Sequence, residues 1–70
     1  MKEEKKRLLV KGLEMDLFPA SVEELEKEGL IDECNCGDDF CSSEGYLWVC
    51  SLARDNKCRW FPSPVRCNNK

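Results

Sequence analysis

The sequence predicts a small α+β fold: two short N-terminal helices packed on a cysteine-rich β-hairpin. It forms one domain over residues 1–70, with a helical part at 1–33 and a Cys-rich hairpin part at 34–70. Three observations predict it. All six cysteines (Cys34, Cys36, Cys41, Cys50, Cys58 and Cys67) lie in the C-terminal half, and the chain has no histidine. In the N-terminal half Leu9, Leu13 and Leu17 recur at four-residue intervals, the spacing of one helix face. Residues 46–50 and 57–61 are two runs rich in aromatic and β-branched side chains, separated by turn-forming residues, as two paired strands would be. A chain of 70 residues buries only about 60% of its unfolded surface, so its apolar core supplies about 3–5 kcal/mol. Covalent bridges or a metal must add to that.

Two helical segments are expected within residues 3–30. In the first, Leu8 and Met15 widen the leucine stripe, while Gly12 weakens it by about 1 kcal/mol relative to alanine. A strand over residues 7–11 is the competing reading. Pro19 closes the segment and biases Phe18 towards an extended backbone. The second helix, residues 22–28, carries clearer punctuation. Ser21 and Glu24 fit a capping box, and Gly29 suits the left-handed position after the last turn, from which Leu30 folds back onto Leu25. Val22, Leu25 and Leu30 are expected to meet Leu13, Leu17 and Phe18 in the core.

From Cys34 the pattern changes. Cys34, Asn35, Cys36 and Gly37 read as a tight turn leading into an acidic loop at 38–45, whose neighbouring Asp38 and Asp39 read as solvated. Residues 46–50 form a strand, Ala53, Arg54, Asp55 and Asn56 a turn, and residues 57–61 the returning strand. Pro62 and Pro64 end that strand and leave an extended tail to Cys67.

Net charge is −3 but strongly partitioned: +3 over residues 1–11, −10 over 12–49 and +4 over 50–70. Such segregation creates a basic patch despite an acidic isoelectric point. The charged start (Lys2, Glu3, Glu4, Lys5, Lys6, Arg7) precedes only three apolar residues, Leu8, Leu9 and Val10. A secretory signal needs about 7–15 apolar residues, and a membrane span about 20. A cytoplasmic protein without membrane association is therefore expected, and in that compartment clustered cysteines more often bind metal than pair with one another.

A tetrahedral zinc site takes four thiolate or imidazole ligands, usually as two close pairs. Cys34 and Cys36 make one pair at the turn, and Cys50 and Cys58 the other from the two strands. Structural Zn²⁺ held by these four is the expected cofactor. Other partitions bring in Cys41 or Cys67, and a disulfide framework of three bridges has fifteen connectivities. In that framework a Cys34–Cys36 bridge is disfavoured by its one-residue loop. A bond between Cys41 and Cys67, or from either to the other four, would remove the case for zinc.

Cys34-x-Cys36-Gly37, then residues 45–50 (Gly45 to Cys50), then Cys58, Arg59, Trp60 and Phe61 resemble the GRF-type zinc finger. They are also similar to the zinc ribbon at the C-termini of some type I topoisomerases. The resemblance covers about 28 residues (34–61). It implies a zinc-ribbon-like hairpin, zinc on Cys34, Cys36, Cys50 and Cys58, and a surface that grips single-stranded nucleic acid. Cys41 and Cys67 fall outside its pattern, and Tyr46 stands where an arginine is expected.

Without histidine, Cys–His nucleophiles and histidine acid–base pairs are excluded, and so small a domain offers no cleft for an open-site catalytic zinc. The expected function is a non-enzymatic zinc-binding module that recognises a macromolecule, either single-stranded nucleic acid or a transcription or replication protein, with no small-molecule substrate. Arg54, Lys57, Arg59 and Arg66 would meet phosphates or a partner's acids while Trp48 or Tyr46 and Trp60 or Phe61 stack; the competing reading packs Trp48, Trp60 and Phe61 on the N-terminal helices. Alternation places Trp60 on the opposite face from Arg59 and Phe61. The second reading is a disulfide-stapled secreted protein acting as an inhibitor or toxin-like factor.

Overall fold

The computed structural model describes residues 5–30 and 34–67. Five strands and one helix follow in the order β1 (Lys6–Val10), β2 (Leu13–Leu17), α1 (Val22–Glu28), β3 (Asp39–Cys41), β4 (Tyr46–Leu52) and β5 (Cys58–Arg66). β1 and β2 form an antiparallel hairpin, and β3-β4-β5 an antiparallel sheet with β4 at its centre.

The first expected helix is a β-hairpin instead. Lys11 (φ 53°) and Gly12 (φ 81°) both take positive φ, which is the backbone of a two-residue hairpin turn. On either side the apolar residues alternate: Leu8 and Val10 on β1, Met15 and Leu17 on β2, all packed towards the sheet. The leucine stripe was a coincidence of two period-2 patterns across that turn. Of its members only Leu17 is buried; Leu9 is 67% and Leu13 58% exposed. Residues 3 and 4 of the expected helix lie outside the described residues. Among the described residues of the expected helical part at 1–33, a hairpin is thus followed by one helix.

The second helix forms over the expected residues. The Ser21 hydroxyl accepts from the Glu24 N–H, and the Ser21 N–H donates to the Glu24 carboxylate at 2.9 Å. Gly29 is left-handed (φ 74°), and the Leu30 N–H reaches the Leu25 carbonyl at 2.8 Å. The helix packs elsewhere than expected, however. Leu25 and Leu30 lie against Trp48, Cys50 and Trp60 on the sheet, not against β2, and Val22 is 68% exposed.

The β3-β4-β5 sheet therefore separates two layers. On one face Leu47, Val49, Phe61 and Val65 meet the β1–β2 hairpin, with Phe61 wholly buried. On the other, Phe40, Trp48, Cys50 and Trp60 meet α1 and its flanks, with Phe40 5.9 Å from Trp60 and 6.1 Å from Trp48. Strand β5 runs on through Pro62 and Pro64, which the sequence suggested would end it. β5 is an edge strand, and the Trp60 carbonyl already turns outward to accept the Ala20 N–H at 2.9 Å. Pro62, two residues on, faces its hydrogen-free nitrogen the same way, where no ladder bond is lost.

Candidate functional site

The six cysteines form three disulfides, Cys34–Cys50, Cys36–Cys58 and Cys41–Cys67, and no cysteine is free. The expected zinc site is corrected by this pairing. The four residues assigned to it do converge, and the sulfurs of Cys36, Cys50 and Cys58 lie within 4.8 Å of one another. Each of these sulfurs is committed to an S–S bond, and a disulfide sulfur carries no thiolate with which to ligate zinc. Cys41 and Cys67, the two left over, bond to each other. Disulfides of this density in a small domain belong to oxidising, extracellular surroundings, which overturns the cytoplasmic placement. No helix among the described residues is long and apolar enough to cross a membrane.

Local folding explains the pairing. Gly37 donates to the Cys50 carbonyl at 2.9 Å, and the Cys50 N–H donates to the Asp38 carbonyl at 2.9 Å. These bonds hold the Cys34–Gly37 turn against the middle of β4. Opposite Leu52, Cys58 opens β5, so the Cys34–Cys50 and Cys36–Cys58 bridges lie side by side near the β4–β5 turn. Cys41–Cys67 closes the other end, where the Cys67 N–H reaches the Gly45 carbonyl at 2.9 Å.

The residues expected to meet nucleic acid or a partner do not form one surface. Trp60 is only 9% exposed, beneath α1. Arg54 and Lys57 sit in the β4–β5 turn. Arg59 binds Asp55 through Nε (3.1 Å) and Nη2 (2.5 Å). The Asp55 carboxyl is consequently held below its ordinary 3.8, first by the hydrogen bond from Arg59 and further by the Lys57 N–H. Arg66 lies at the far end of β5, its guanidinium 5.0 Å from the centre of the Tyr46 ring, about 25 Å from Cys58 at strand rise.

Two concavities stand out among the described residues. The smaller, about 200 Å³, lies between α1 and the sheet and is walled by Glu24, Glu28, Glu44, Tyr46 and Trp48. Its acids are satisfied internally. Glu24 caps Ser21, Glu28 accepts from the Ser43 N–H and hydroxyl, and Glu44 meets Lys27 at 3.5 Å. The larger is a groove of about 600 Å³ on the hairpin side. One bank runs from Leu8 on β1 to Lys11 in the turn, the other is Gly37, Asp38 and Asp39, and the floor Leu47, Val49 and Ser51. Asp39 pairs with Val49 across the ladder, so its side chain shares the groove-facing side of the sheet. Neither Asp38 nor Asp39 has a cationic partner among the described residues.

Sequence reading missed this groove. Asp38 and Asp39 looked like a solvated loop, and its other bank was assigned to a helix. The signal that would have found it is the Lys11-Gly12 pair between alternating apolar residues. No family model, curated protein or solved structure matches the chain.

Proposed function

We propose that this chain is a disulfide-stapled secreted binding protein that acts as an inhibitor or toxin-like factor, occupying a partner's surface without chemistry of its own. One observation carries the reading: three bridges consume all six cysteines. With no histidine in the chain, neither a thiolate nor an imidazole is left for catalysis. A rigid stapled scaffold orders little on binding, so more of its contact energy appears as affinity. A protein partner is favoured over nucleic acid because the net charge is −3 and Arg54, Lys57 and Arg59 lie at one end of β5 while Arg66 lies at the other.

Intact mass with and without reductant, followed by titration against purified secreted hydrolases and ion channels, tests this reading. Reduction is expected to add two hydrogens per bridge, and chelator to change neither mass nor fold. The oxidised protein should block one target stoichiometrically while its reduced, alkylated form does not. Equal potency of the two forms, or unfolding by chelator alone, would overturn the proposal.

A further inference from the structure

The β1 edge is an open hydrogen-bonding strand beside the large groove. In a hairpin closed by a two-residue turn, Val10 and Leu13 exchange ladder bonds, and so do Leu8 with Met15 and Lys6 with Leu17. Arg7 and Leu9 alternate with these, so their N–H and C=O groups point away from β2. Neither gives those groups a partner among the described residues. Natural sheets usually blunt such an edge with charge, proline or a cover. The cations at the start of β1 turn elsewhere: Lys5 and Arg7 pair with acids of β2, and the Lys6 ammonium donates to the Leu52 carbonyl. The outer edge itself stays open: Leu9 is 67% exposed, and the groove opens alongside it.

We infer that the β1 edge and its groove bind an extended, basic peptide segment of a protein partner by strand addition. Two independent features define that occupant. The outward backbone groups of Arg7 and Leu9 suit a β-strand, whose own N–H and C=O groups complete the ladder. Asp38 and Asp39 on the opposite bank outnumber Lys11, the one cation in the lining, and suit lysine or arginine, while Leu47 and Val49 on the floor suit apolar side chains between the cations. An acidic segment would meet two like charges there and a single opposite one. The inference rests on the binding-protein reading and supplies its docking surface.

The test is NMR titration of the oxidised full chain with a terminally blocked hexapeptide alternating valine and lysine. A valine–glutamate hexapeptide is the control. Shift changes are expected at Arg7, Leu9, Gly37 and Val49, with slowed amide exchange at Arg7 and Leu9. The paired Asp38→Asn and Asp39→Asn variant, whose side chains are exposed and so leave the fold intact, should bind about fivefold more weakly. A valine–lysine peptide N-methylated at every amide, which leaves neither edge a donor, should not bind. Equal binding of both hexapeptides, or no change at the Arg7 and Leu9 amides at millimolar peptide, overturns the inference. So does peptide-independent broadening of these amides with protein concentration, which would make a second copy of the chain the occupant. Leu9→Pro removes one outward N–H. If stoichiometric inhibition of a target survives that change, the groove is not its docking surface, while the functional reading stands.

Discussion

Asp55 and Arg59 show how a single exposed contact acquires a measurable signature. The guanidinium holds the Asp55 carboxyl below its ordinary 3.8, so the folded form prefers the carboxylate. A lowered carboxyl pKa contributes stability above the unfolded value, and that contribution is lost as pH falls through the folded pKa. The window therefore lies below pH 3.8. Titration of the Asp55 carboxyl carbon by NMR should give a midpoint under that value, and Arg59→Gln should return it towards 3.8. A second residue-scale test concerns Gly12. A Cβ there would meet nothing within 4 Å, so the effect of Gly12→Ala is conformational. With φ at 81°, denaturant melting should register a loss of about 1–2 kcal/mol. Phe61, wholly buried between hairpin and sheet, should cost about 3–5 kcal/mol as Phe61→Ala.

Elements differed in how plainly the sequence announced them. Helix α1 was legible because its ends are written in local chemistry: Ser21 and Glu24 at one end, Gly29 and Leu30 at the other. Ser21→Ala should therefore cost about 1 kcal/mol, and Ser21→Gly only a few tenths, by thermal or urea melting. Most of β4 and the first four residues of β5 were legible from their aromatic and β-branched runs. The β1–β2 hairpin was not, because a stripe at i, i+4, i+8 fits a helix, and two five-residue strands around a two-residue turn reproduce it by chance. What separates the two is Lys11 and Gly12, where only the turn needs left-handed backbone. The reach of β5 through its prolines was hidden for another reason. Proline's missing donor is harmless on an edge or where the ladder shifts register, as it does between Pro62 and Arg66, and both belong to the sheet rather than to the strand. The grouping of Cys34, Cys36, Cys50 and Cys58 at one end was readable from spacing. Their bonding was not, because ligand pairs and bridged pairs both require sulfurs brought close.

At the scale of the whole molecule the bridges clamp the sheet at both ends. Cys34–Cys50 and Cys36–Cys58 hold the end near the β4–β5 turn, and Cys41–Cys67 the end where Tyr46 meets Arg66. Their loops span 16, 22 and 26 residues, each worth about 3 kcal/mol if closed alone and less together because they overlap. Replacing both Cys41 and Cys67 by serine should lower stability by about 3 kcal/mol or less. Amide exchange should then rise first around Ser42 and Tyr46, with the paired bridges at the other end still intact. In cysteine order the bonds run first to fourth, second to fifth and third to sixth. Every peptide bond between Cys34 and Cys67 is therefore spanned by at least one bridge. A proteolytic nick anywhere in that stretch adds one water to the mass and frees no fragment until the protein is reduced. Outside cells, where such nicks are frequent and reductant is scarce, a cut molecule keeps its pieces joined and is positioned to go on working.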